Sequence, residues 1–187
     1  MLSHKMNAVV RGTLFALSVL VFAMAPYVTQ PAFADIGPAG RSVPSAELVG
    51  KGRMTYLGFK VFDAELYAPK GSYSSSAPFA LKLTYLRNFK GKKIAESSVD
   101  EIKRQGGVSQ QQLDAWGKKM QAIFPNVSAG QSITGVRTAN GSSVFYLGSR
   151  KIGTISDPAF TKRFFAIWLG NNTRNPRLRA KLVGAGS

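Results

Sequence analysis

From Phe79 to Arg87 the chain alternates, with Phe79, Leu81, Leu83 and Tyr85 on one side and Ala80, Lys82, Thr84 and Leu86 on the other. A period of two marks a strand with one apolar face, and half-buried strands of this kind belong to antiparallel sheets. Such a chain must also supply a cover for the apolar face. Leu113, Trp116, Met120, Ile123 and Phe124 recur at helical spacing behind a Ser109/Gln112 capping box, and Pro125 ends the run. Phe160, Phe164, Ile167 and Trp168 form a second stripe behind Asp157-Pro158, an N-cap followed by a first-turn proline.

The other segments agree with that plan. Arg53–Leu57 and Lys60–Ala68 read as a hairpin around Gly58-Phe59, with Gly58 in the first position of a type II′ turn. That turn pairs Leu57 with Lys60 and sets the register: Tyr56 against Val61, Thr55 against Phe62, Arg53 against Ala64. Arg53 and Thr55 then share the apolar side with Phe62, Ala64 and Leu66, while Met54, Asp63 and Glu65 point away. A weaker helical pattern runs from Lys92 to Gln105, with Ser98 and Glu101 offering a capping box and Gly106-Gly107 a stop. Short strands are predicted at Ser132–Thr138, Ser143–Gly148 and Lys151–Ser156, joined at Asn140-Gly141 and Ser149-Arg150, and Pro176 opens a short basic helix to about Val183. Strands, two helices, strands, two helices gives the α+β class, an antiparallel sheet with helices layered on one face.

The N-terminus reads as an address. Lys5 and Arg11 precede an uncharged run, Thr13 to Ala25, and Ala32-Phe33-Ala34 supplies an A-x-A site. That is the order of a secretory signal peptide over residues 1–34, cut before Asp35, and the run is shorter than the roughly 20 residues that span a bilayer. The protein is therefore expected to be periplasmic or otherwise exported, with a single domain at 35–187. Its lead-in, through residue 48 or so, is rich in Gly and Pro and reads as extended.

Composition narrows the chemistry. The chain has no Cys and one His, His4, inside the expected signal segment. Thiol nucleophiles, catalytic triads and Cys- or His-based metal sites are excluded, and no cofactor or metal is expected. A formal charge of +16, from 25 Lys and Arg against 9 Asp and Glu, suits anionic partners such as lipid headgroups. The bases are dispersed in pairs such as Lys92-Lys93 and Lys118-Lys119. A solvated surface explains them equally, and export argues against nucleic acid.

Among candidate residues Arg53 comes first, because a guanidinium on an apolar face needs an anion or several acceptors. Either it anchors a carboxylate or phenolate, or its stem packs while its head reaches the sheet edge or a carboxylate at an adjoining element. Thr55, Phe62 and Tyr85 are its expected neighbours in a ligand site, with Leu66, Leu81, Leu83, Phe164 and Trp168 as further walls. Asp63 and Glu65 read as charge balance on a wet face.

The segments GKGRMTYLGFKVFDAELYAP, FALKLTYLRNF, LDAWGKKMQAIFPNVSAGQSITG and GTISDPAFTKRFFAIWLGNNTRNPRLRAKL resemble the bacterial exported chalcone isomerase-like proteins over about Val49 to Leu182. The resemblance implies an antiparallel sheet, helices on one side and a ligand cleft between them. For the plant enzymes it implies a cofactor-free closure of chalcones to flavanones. Arg53 resembles the family's active-site arginine and is the one catalytic position to carry over. The plant threonine falls on Phe62, and the plant tyrosine and asparagine fall near Ile94 and Glu101. Some members resembling this chain bind fatty acids without catalysis. Three readings result: a non-catalytic binder of a small amphipathic anion such as a fatty acid or phenolic, a chalcone-to-flavanone isomerase (intramolecular lyase) with a rearranged site, and a basic protein that binds an anionic membrane surface. The sequence is silent on oligomeric state.

Overall fold

Apolar alternation and tight turns make every strand pair with its neighbour in sequence. The structure, a computed structural model, describes residues 36–184. Within them β1 (Ala46–Tyr56), β2 (Phe59–Pro69), β3 (Phe79–Tyr85), β4 (Ser132–Arg137), β5 (Ser143–Leu147) and β6 (Arg150–Ile155) form one antiparallel sheet in chain order. Helices α1 (Gly91–Arg104) and α2 (Gln110–Ile123) sit between β3 and β4, and α3 (Pro158–Leu169) and α4 (Pro176–Val183) follow β6. The expected signal segment, residues 1–34, lies outside the described residues.

All four α-helices contribute to one apolar core against one face of the sheet. β2 lends it Phe62, Ala64 and Leu66, β3 lends Phe79, Leu81, Leu83 and Tyr85, and α3 lends Phe160, Phe164 and Phe165. β3 is central: Leu83 faces Ala64 of β2 on one side and Ile133 of β4 on the other. The Ser109/Gln112 capping box forms as predicted. Ser98, by contrast, is no cap: it lies inside α1 and donates its hydroxyl to the Ile94 carbonyl at 2.8 Å.

Two expectations about the first hairpin are corrected. The turn residues are Leu57 and Gly58, both at positive φ (47° and 79°), so Tyr56 pairs with Phe59. This is the type I′ arrangement, whose twist matches that of the flanking strands. That displacement alone would have left Arg53 on the expected face. A bulge between Met54 and Thr55 then adds one residue to β2, and Arg53 pairs with Asp63 rather than Ala64. One residue of slip moves every side chain beyond it to the other face. Arg53 therefore lies on the face away from the helices.

The lead-in is also more structured than an extended stretch. It holds a 3-10 helix, Gly37–Ser42, and β1 starts at Ala46. Ile36, Ala39 and Val43 pack on Tyr67, Ala80, Val136 and Val144, so part of the second sheet face is covered too. On the helix face, α4 lies directly on β1. A side chain at Gly50 would collide with the Lys181 carbonyl, and one at Gly52 with Leu178, so these glycines are where the helix backbone comes closest.

Candidate functional site

Between the sheet and the helices lies a small, partly open apolar cavity. Its floor is Leu81, Leu83 and Tyr85 of β3 with Ile133 and Gly135 of β4, and its roof is Ile94 and Ser98 of α1, Phe124, and Phe164, Phe165 and Trp168 of α3. The open space is about 30 Å³, room for a water or two and not for an acyl chain. Gly135 keeps the floor low, because a Cβ there would stand 3.2 Å from the Phe165 ring. Rings build the walls: Phe164 meets Phe124, Phe165 and Trp168 at centroid distances of 6.2, 5.3 and 5.4 Å. Trp168 is the half-buried member of that group and stands between the cavity and solvent.

The hydroxyls of Tyr85 and Ser98 and the indole N–H of Trp168 are the polar side-chain groups of the lining residues, and no charged residue is among them. Ser98 already donates to the Ile94 carbonyl and has lone pairs left. Tyr85 is 5% exposed, its ring set edge-on to Phe62 and tilted against Phe89, and no hydrogen bond of its hydroxyl occurs among the described residues. Burial pushes its phenol well above the ordinary value. At neutral pH the group therefore stays protonated, with an O–H to donate.

The predicted site residues divide into two sets. Phe62 and Tyr85 come together, and Leu81, Leu83, Phe164 and Trp168 line the cavity as expected, while Leu66 is buried in the core beyond it. Arg53 and Thr55 do not line it. Thr55 is exposed and pairs with Lys60. Arg53 grips Asp63 through two hydrogen bonds, 2.6 and 2.8 Å, with its side chain 44% exposed. That contact holds the Asp63 carboxyl below its usual range. The expected burial of a lone guanidinium among apolar side chains is thus replaced by a surface ion pair, because the bulge moved it.

Sequence reasoning missed Ser98, Phe124, Ile133, Gly135 and Phe165 as lining. Ile94 and Ser98 stand four apart on one helix face, a spacing that was available. The folded position of Phe124, past the end of α2, had no local signal. Ile94, near which the plant tyrosine falls, presents an aliphatic wall to the cavity. Glu101, where the asparagine falls, pairs instead with Arg104 and Arg174 at 2.9 and 2.8 Å.

Among curated proteins none matches the sequence. Among solved structures, the crystal structure of a fatty-acid binding protein of Arabidopsis thaliana is similar. Its TM-score is 0.58 at 12% identity, and the match covers 75% of this chain and 88% of that one. At that identity the likeness is one of fold. The sequence profile of the chalcone isomerase-like family matches residues 44–184, from just before β1 to the end of α4, and the chain belongs to that family.

Proposed function

We propose that this protein binds a small amphipathic molecule, a fatty acid or a phenolic, in the cavity between β3–β4 and α1–α3, and does not transform it. The observation that carries the reading is a small apolar pocket with one protonated phenol, Tyr85, whose hydroxyl has no acceptor among the described residues. Likeness of fold to a fatty-acid binding protein supports the same reading. Catalysis is disfavoured by the residues themselves. Ring closure needs several donors for the developing enolate, and by the resemblance the family's threonine falls on Phe62 and its tyrosine near Ile94, neither of which donates.

An acyl chain enters only if Ile94 and Trp168 move apart, since the cavity is nearly filled. With no cation in the lining, an ionised head group would lose hydration without a counter-charge. The neutral acid is favoured, and affinity is expected to rise as pH falls through the ligand's own pKa.

Displacement of a fluorescent fatty acid tests the reading. Leu83→Trp fills the floor and is expected to abolish binding, and Tyr85→Phe is expected to weaken it about tenfold, the worth of one hydrogen bond. Arg53→Ala is expected to leave affinity unchanged. Loss of binding in Arg53→Ala, with Leu83→Trp unaffected and folded, would place the site on the other sheet face and overturn the assignment. The working molecule in this reading is the exported form cut before Asp35, and an intact mass that retains Met1 would remove export from it.

A further inference from the structure

One end of the sheet gathers the β1–β2 turn, the segment after β3, the residues entering β4 and the β5–β6 turn. Residues 56–61, 86–91, 126–132 and 147–151 contain Lys60, Arg87, Lys90, Arg150 and Lys151 and no Asp or Glu. The opposite end is mixed, with Glu47 and Asp157 beside Lys70 and Arg137. From the basic end project Tyr56, Leu57 and Phe59, which are 58%, 79% and 59% exposed. The Arg87 guanidinium lies 4.7 Å from the centre of the Phe59 ring. Three large apolar side chains on one hairpin turn form a contiguous patch of the sort that marks an interaction surface.

The backbone adds a second argument. Leu57 holds φ 47° at the first position of the turn, where Asn, Asp or Gly is favoured. Its side chain is almost wholly in solvent. Leucine there is unfavourable to the hairpin and adds nothing to the core, so its use lies outside the fold.

We propose that this end of the sheet docks on an anionic lipid surface, with Tyr56, Leu57 and Phe59 entering the headgroup–acyl boundary and the surrounding cations facing lipid phosphates. Apolar insertion combined with basic contacts is how proteins that do not span a bilayer adhere to it. No helix among the described residues is long and apolar enough to cross a membrane. Charge decides between occupants: a plane of negative headgroups complements a rim of five cations whose nearest acid, Asp63, is held by Arg53, whereas a second copy related by a twofold axis would bring the same cations against these. The inference is independent of ligand binding in the cavity.

The absence of cysteine makes the test local. An environment-sensitive dye is attached to the chain beginning at Asp35, which leaves out the apolar Thr13–Ala25 run, at Tyr56→Cys or, at the opposite end, Ser75→Cys. Each is mixed with vesicles of phosphatidylcholine alone or with phosphatidylglycerol added. The dye at 56 is expected to shift to the blue and become shielded from an aqueous quencher on the anionic vesicles only, while the dye at 75 does neither. Leu57→Asn combined with Phe59→Ser is expected to weaken the response about tenfold or more, given the apolar area removed, and Lys60→Gln with Arg87→Gln to reduce the preference for anionic lipid. Equal shifts at both positions, an unshifted dye at 56, or an unchanged response in the Leu57/Phe59 variant would overturn the proposal. So would a shift at 56 that grows with protein concentration without vesicles, which would assign the tip to self-association.

Discussion

Leu57 shows how a single residue can be at odds with its own turn. Its φ of 47° puts a Cβ-bearing residue in the left-handed region, which costs about 1 kcal/mol or more, and Asn before Gly58 is the pair this turn favours. Leu57→Asn is therefore expected to stabilise the protein by about 1 kcal/mol, a rise of roughly 2–4 °C in Tm for a chain of this size. A thermal melt followed by circular dichroism measures it, and a lowered Tm would mean that Leu57 packs in the fold after all. Arg53 carries the complementary lesson. Its residue type announced a need for an anionic partner, and it has one, yet the partner is Asp63 rather than a ligand. What hid this from the sequence was the bulge beside Met54, because a one-residue slip has no fixed residue signature.

At the scale of elements, Asp157 joins two helices. Its carboxylate caps α3 by accepting from the Ala159 and Phe160 amides at 2.9 and 3.0 Å, and it also accepts from the indole of Trp116 in α2 at 2.9 Å. Burial would raise this carboxyl. The bonds from Phe160, Trp116 and Ala159, with the charge of Lys119, outweigh burial and hold it below its ordinary value. The fold thus binds this proton less readily than the unfolded chain does. The stabilisation is complete above the ordinary carboxylate range and is lost as pH falls through the lowered value. Asp157→Ala is expected to cost about 1–2 kcal/mol at neutral pH, the usual worth of such a cap, and to flatten the acid limb of stability against pH. Urea melts at several pH values check this, and an undiminished acid slope would assign the loss to other carboxylates. The capping signal of Asp157-Pro158 was legible, since caps and first-turn prolines act within a few residues. Its bond to Trp116, many residues upstream, was not.

At the scale of the whole molecule, helices cover one side of the sheet and the lead-in covers part of the other, and only the first cover was foreseen. Two apolar stripes, with caps, glycine stops and Pro176, announced the four helices of that layer. The lead-in, with its Gly and Pro, gave no periodic sign that Ile36, Ala39 and Val43 would seal Tyr67, Ala80, Val136 and Val144. Val43 is 1% exposed, and Val43→Ala is expected to destabilise the domain by about 2 kcal/mol through lost burial and a residual void. Chemical denaturation measures that value. A change near zero would show that the second cluster adds little and that the helix-side core carries the stability alone. The cavity belongs to this scale as well. β3 and β4 build its floor and α1 and α3 its roof, so its lining is drawn from segments that meet only when both layers close.

Past the lead-in, the sequence by itself determined the kind of each element, their order and the layering of α on β, because periodicity, caps and turns are written in neighbouring residues. It also determined that no thiol and, outside the segment expected to be removed, no imidazole is present to act. Only the tertiary structure decided which face receives Arg53, what closes the outer side of the sheet, and that the cavity offers a phenol rather than a cation. Those outcomes depend on register and on contacts between distant segments, and a shift of one residue reverses them while leaving the local pattern intact.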